Sequence, residues 1–173
     1  MIIRKAVPEE WQAVVHFYGS LIDMMNESGY PTAWEKDIYP SADSLRQFIE
    51  SGSLFVGLED GGIIAAMVLN SVGNDAYKNV HWSLDIPDSD ALVIHILGVS
   101  LRYKGRGYGR EMLNFAMEFG RKCGKRAIRL DVHVTNLTAI KLYEKSSFRH
   151  VDNVKMLYPD IGWHEFLMYE LPL

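Results

Sequence analysis

The chain has 173 residues, 48% of them hydrophobic and 12% aromatic. That is enough for one domain with a sizeable core, and it excludes a disordered or collagen-like chain. Eighteen basic residues against 22 acidic ones give a net charge of −4, no electrostatic basis for broad nucleic-acid binding. The single cysteine, Cys123, permits no internal disulfide and no cysteine-based metal site, so the expectation is a metal-free protein of a reducing cytoplasm. Charges at Arg4 and Lys5 break the first apolar stretch, and no window nears ~18 uninterrupted apolar residues, so neither a signal peptide nor a membrane contact is expected.

Residues 2–7 read as a short strand ending at Pro8, and Pro8-Glu9-Glu10 opens a helix with proline early and acids in its first turn. Trp11, Val14, Val15, Tyr18, Leu21, Ile22 and Met25 follow at helical spacing, and Gly29 ends it. An irregular stretch with Pro31 and Pro40 comes next, then a short helix over 44–49 closed by Gly52. Asp60-Gly61-Gly62 between apolar runs at 54–58 and 63–69 is a hairpin signal. After a polar segment at 70–90, residues 91–99 are almost continuously apolar, as in a strand covered on both faces. A glycine-rich turn over 104–109 leads into a helix through about Cys123. Strand 127–134, helix 137–145 and strands 148–153 and 166–171 complete the chain. That order predicts one α/β (α+β) domain over residues 1–173, a mixed sheet with helices on both faces.

Leu97-Gly98-Val99 followed by Lys104-Gly105-Arg106-Gly107-Tyr108-Gly109-Arg110 places alternate glycines and three cations between a strand and a helix. Such a turn lets backbone amides approach an anion at a helix N-terminus, a phosphate or pyrophosphate above all; a plain tight turn is the other reading. A P-loop would end in Gly-Lys-Ser/Thr, whereas this turn ends in Gly109-Arg110-Glu111, and the dinucleotide fingerprint has a different glycine register. Downstream, Asn136, Ala139, Leu142, Tyr143, Glu144 and Phe148 form a second spaced set.

Together the two motifs resemble those of the GNAT superfamily of N-acetyltransferases. Leu97, Val99, Lys104, Gly107 and Gly109 match the first signature, with Lys104 in place of the usual glutamine or arginine. The second set matches Asn-x-x-Ala-x-x-Leu-Tyr-Glu-x-x-Gly-Phe, with Ser147 in place of the glycine, a change expected to tighten or reshape the helix exit. The resemblance implies a mostly antiparallel central sheet and acetyl-CoA as co-substrate. It implies that amides of residues 105–110 hold the pyrophosphate, that the Lys104 amide still serves, and that Leu97 and Val99 pair with the pantetheine arm. Gly98, Asn136, Ala139 and Tyr143 complete the implied coenzyme site.

For chemistry, the Val99 amide is the expected oxyanion donor. Tyr143 stands where relatives keep a general-acid tyrosine; a buried tyrosine bonded to a backbone carbonyl is the alternative. The glutamate that many relatives carry on the strand before the glycine turn is replaced by Val93. Period-two alternation puts His95 on the same face as Val93, Leu97 and Val99, as a base acting through water or as a core residue; His133 follows on the next strand. Tyr30, Trp34, Glu35 and Tyr39, in the loop after the first helix, suit a cationic amine acceptor, and residues 158–165, with Tyr158, Asp160 and Trp163, repeat that chemistry. The same aromatics could instead mark a homodimer interface. Cys123 has no histidine–acid partner in sequence, which argues against a covalent intermediate. The choice left open is between a catalytic N-acetyltransferase and a non-catalytic acetyl-CoA sensor.

Overall fold

The computed structural model describes residues 1–30, 33–158 and 162–173. Strands β1 (Ile2–Lys5), β2 (Leu54–Glu59), β3 (Gly62–Asn70), β4 (Ala91–Val99), β5 (Ala127–His133), β6 (Arg149–Tyr158) and β7 (Gly162–Pro172) form one seven-stranded sheet in the order β1-β2-β3-β4-β5-β7-β6. Every pairing is antiparallel except β4 with β5. Helices α1 (Trp11–Glu27) and α2 (Ala42–Glu50) cover one face; α3 (Tyr108–Lys122) and α4 (Leu137–Lys145) cover the other.

The covering follows from burial on alternate residues. Leu54, Val56, Ala66 and Val68 pack with Val14, Tyr18, Leu21 and Leu45 on the α1–α2 side. Phe55, Ala65, Met67, Leu92 and Ile94 pack with Met112, Leu113, Ala116 and Tyr143 on the other. Asp60 and Gly61, at φ 50° and 78°, make the tight turn expected between β2 and β3. The late hairpin is longer than expected: β6 and β7 run outward to Tyr158 and Gly162. Pro31, Pro159, Asp160 and Ile161 lie outside the described residues.

All four helices end the same way. Gly29, Gly52, Gly124 and Ser147 take φ between 62° and 69°, and the amide of the following residue reaches back to the carbonyl five residues before it, as in Phe148 N to Tyr143 O at 3.1 Å. The Ser147 N–H to Glu144 O bond, also 3.1 Å, and the Phe148 ring 5.8 Å from that of Tyr143 complete the cap. The serine therefore does not reshape the helix exit; it adopts the left-handed conformation that glycine would take at less steric cost.

Residues 71–90 cross the sheet with two short 3-10 turns, Asp75–Asn79 and Asp88–Asp90. A buried ion pair, Arg129 Nε to Glu170 Oε1 at 3.0 Å, anchors them. Glu170 accepts from Ser83 Oγ and from the Leu84 amide, and Arg129 donates to the Leu84 carbonyl and lies 4.5 Å from the Trp82 ring centre. Replacing Ser147 by glycine is expected to raise stability by about 0.5–1 kcal/mol, measured as a higher urea midpoint at unchanged slope.

Candidate functional site

β4 and β5 pair only over Ala91–Val93 and Ala127–Arg129, then separate. The separation begins where β4 bulges. Val68 faces His95 and Ala66 faces Gly98, so Met67 of β3 stands opposite two residues, Ile96 and Leu97. Ile96 has φ 43°, and its carbonyl accepts the buried Tyr18 hydroxyl at 2.8 Å. The bulge reverses the alternation. Val93 and His95 face the α1–α2 side, while Leu97 and Val99 pack toward α3 and α4. The expected shared face of His95, Leu97 and Val99 is thus corrected, because period two assumes an unbroken pleat.

The backbone of the bulged segment turns into the gap. Ser100 N–H bonds Ile64 O at 2.8 Å, and Ala65 pairs with Val99, so the Val99 N–H points away from β3. Leu97, two residues earlier, points the same way. Both groups face the space that β5 has left.

That space is a cavity of about 210 Å³ running through the sheet. Leu97, Val99, Asn136, Ala139, Leu142 and Tyr143 line its α4 end; Tyr30, Trp34, Tyr39, Tyr158 and Phe166 line its α1 end. Gly98 lets Leu21 of α1 pack closely on the bulged strand, since a Cβ there would fall 2.7 Å from Leu21 Cδ2. Asn136 caps α4 through its side chain, accepting from the Ala139 amide at 3.1 Å. Glu35 is exposed and does not line the cavity, which removes it from the expected acceptor wall.

Residues 104–110 lie on the surface beside the α4 end. Gly105 and Gly107 have φ 81° and 86° with open space where a Cβ would stand, and no side chain caps α3. The amides of Tyr108, Gly109 and Arg110 precede the first intrahelical bond, Glu111 N to Gly107 O. Those of Lys104 and Arg106 bond Leu101 O and Tyr103 O, so the Lys104 amide is engaged inside the turn rather than presented to a ligand. Its ammonium lies 5.4 Å from the Tyr30 ring centre. Exposed cations with helix-start amides form a cradle that fits a pyrophosphate.

Tyr143 is buried, faces the cavity and has no hydrogen-bond partner for its hydroxyl among the described residues; the alternative of a tyrosine tied to a carbonyl does not hold. Burial, and next the charge of Asp131, push its pKa up. His95 lines the cavity with Nε2 3.0 Å from Asn70 Oδ1. That oxygen also accepts the Val72 amide at 2.9 Å, so Nε2 carries the ring proton and Nδ1 is the acceptor. Burial pushes the pKa down to about 4, against a hydrogen bond to the Val72 backbone that raises it. His95 is neutral at physiological pH and a weak base.

Sequence reasoning missed Asp131. It lines the cavity from β5, accepts Tyr77 Oη at 2.6 Å and lies 3.3 Å from Tyr158 Oη. Arg129, Asp131 and His133 alternate with Ile128, Leu130 and Val132, one polar face on a central strand, and that was the available signal. His133 also lines the cavity, its Nε2 3.3 Å from His164 Nδ1. Cys123 is exposed and free, outside the cavity.

Comparison with known proteins identifies the family and the fold. The model of the Acetyltransferase (GNAT) family matches residues 19–148, and the chain belongs to that family of acyltransferases. An uncharacterised N-acetyltransferase of Methanocaldococcus jannaschii is 32% identical over 61% of this chain and 43% of its own, and one of Bacillus subtilis is 33% identical over 43% and 47%. The chain therefore spans less than half the length of these relatives. A GNAT-family acetyltransferase structure from Streptococcus agalactiae superposes with a TM-score of 0.83 at 20% identity, over 99% of this chain and 95% of that one. A putative acetyltransferase of Salmonella typhimurium, solved with acetyl-CoA, gives 0.72 at 18% identity, over 100% and 94%. These two likenesses concern the fold.

Because the folded pKa of His95 lies below its unfolded value of about 6.5, the unfolded chain binds the extra proton first. Stability is expected to fall as pH drops from there toward about 4. Imidazole NMR should show the ring neutral down to about pH 5; a midpoint near the unfolded value would place it in water.

Proposed function

We propose that the protein transfers an acetyl group from acetyl-CoA to a primary amine by direct attack, with no acyl-enzyme. The observation that carries this reading is the continuous cavity through the parted sheet, with the Val99 amide aimed into it between a coenzyme end and an acceptor end. The cradle at Gly105, Gly107 and the start of α3 fits the coenzyme pyrophosphate, and Lys104, Arg106 and Arg110 add positive charge there. The backbone of Leu97 and Val99 fits the amide groups of the pantetheine arm, as an added strand would. Bound there, the coenzyme supplies an activated acetyl thioester.

The chain's own residues then do three things. The cavity walls hold the two reactants together, which removes much of the entropic cost of their encounter. The Val99 N–H is fixed in the sheet before reaction and donates to the carbonyl oxygen as charge builds on it. Tyr143 keeps its proton at neutral pH and donates a hydrogen bond to the departing sulfur. His95 holds its wall of the cavity and its bond to Asn70 rather than serving as the base.

The test is release of free thiol from acetyl-CoA against a panel of amines. Release that depends on an amine supports the reading. Tight acetyl-CoA binding with no release for any amine would move the protein to a coenzyme-sensing role. Gly107→Glu is expected to abolish acetyl-CoA binding in calorimetry, because it sets a carboxylate into the cradle. Tyr143→Phe should slow turnover by about a hundredfold with coenzyme affinity unchanged; an unaltered rate would remove Tyr143 from the chemistry.

A further inference from the structure

Asp131 has no structural partner that explains its charge. Among the described residues it pairs with no cation; its bonds come from the hydroxyls of Tyr77 and Tyr158 and from its own backbone. Arg129, two residues earlier on the same face of β5, has Glu170 at 3.0 Å, so the contrast lies within one strand. Among the described residues that line the cavity, Asp131 is also the one side chain ordinarily charged at neutral pH. Around it stand aromatic faces: Tyr158 lies 5.3 Å from Tyr39 and 5.4 Å from Phe166, centre to centre, and Trp34 lines the same end.

A buried carboxylate without a cation is costly, and hydroxyl donors offset only part of that cost. A carboxylate at the end of an aromatic-walled space is complementary to a primary alkylammonium, the charge meeting Asp131 and the chain meeting the rings. We propose that Asp131 is the seat of the acceptor: it binds the reacting amine as its ammonium and takes the first proton from it. The proposal rests on the acetyl-transfer reading given above, and it names the residue that takes over from the carboxylate missing at Val93.

The proton balance is complete. One proton moves from the ammonium to Asp131 and leaves a neutral amine. The N–C bond forms at the thioester carbonyl and the C–S bond breaks. Tyr143 gives its proton to the sulfur and is restored by the second proton of the new amide nitrogen, while the proton on Asp131 passes to solvent. Burial makes the first transfer feasible, because it raises the carboxyl pKa and lowers that of an ammonium in the same place. It also couples the two ends of the cavity. The Asp131 charge is one cause of the raised Tyr143 pKa, so neutralising Asp131 makes Tyr143 a better acid when the sulfur departs.

The experiment compares butylamine with butanol as ligands of the wild-type protein and of Asp131→Asn, by calorimetry, with acetyl-CoA affinity and melting temperature measured on the same samples. The wild type should prefer butylammonium. Asp131→Asn should lose about a hundredfold in ammonium affinity, keep its affinity for butanol and acetyl-CoA, and melt no lower than the wild type, since a buried charge has been removed. Equal affinity of the wild type for amine and alcohol, no binding of the amine, or unchanged amine affinity in the variant would each overturn the proposal. A variant that melts lower and no longer binds acetyl-CoA would mark Asp131 as a support for Tyr77 and Tyr158, and would overturn it too. The outcome for acetyl transfer is separate: ammonium binding through Asp131 without thiol release would leave the seat standing and remove the reaction.

Discussion

The separation of β4 from β5 is the constraint on which the rest of the structure depends. Two parallel strands that bond over three residues and then diverge leave a hole in the middle of a sheet, where backbone groups ordinarily must be paired. The hole is held open from one side by the bulge at Ile96, which turns the carbonyl of that residue toward the Tyr18 hydroxyl. Had the pairing continued, Leu97 and Val99 would have spent their amides on β5. The layer under α4 and the layer under α1 would then have been sealed from each other. Tyr143 belongs to the first layer and Asp131 faces the second, and both line the opening between them.

The segment over 71–90 solves a second problem, that of covering the β5 end of the α1–α2 face without a helix. Its hold on the sheet is the Arg129–Glu170 pair with its added bonds to Ser83 and Leu84. A buried pair is a weak source of net stability, but this one consumes backbone groups of a chain with little regular structure, and so fixes its path. The result is to lay Tyr77 on Asp131. Two neighbouring polar residues on one face of β5 thus have opposite fates, one charge fully matched within the protein and the other left to hydroxyl groups.

Much of this was legible in the sequence, and the failures have specific causes. The helix ends over Gly29 and Gly52, the tight turn at Asp60-Gly61 and the bounds of β4 were readable because each is set by local chemistry. The two spaced motifs carried the family. The bulge was not readable: a β-branched residue is an unfavourable choice for positive φ, so nothing at Ile96 announces one, and the phase error in placing His95 followed. Asp131 escaped because its polar neighbours on alternate positions gain meaning only once β5 is known to lie at the centre of a sheet. Glu35, the carboxylate expected in the acceptor wall, lies on the loop, where carboxylates are cheap to expose, whereas the carboxylate that lines the cavity is Asp131, on a strand. Tyr77, 54 residues from Asp131 in sequence, carries no local mark of that contact.

The Tyr18–Ile96 bond bears on how such a protein can diversify. Tyr18 lies on the same helix as Leu21 and Met25, which line the cavity, and the bulge it holds also orients the Val99 amide. On the proposed reading, drift in that helix toward a new acceptor would disturb the Val99 amide in the same step. Ala33, Trp34 and Tyr39 of the loop and Tyr158 at the tip of β6 supply walls to the same space from outside that helix. Selectivity is free to evolve there, while α1 is held to its place by the backbone it supports.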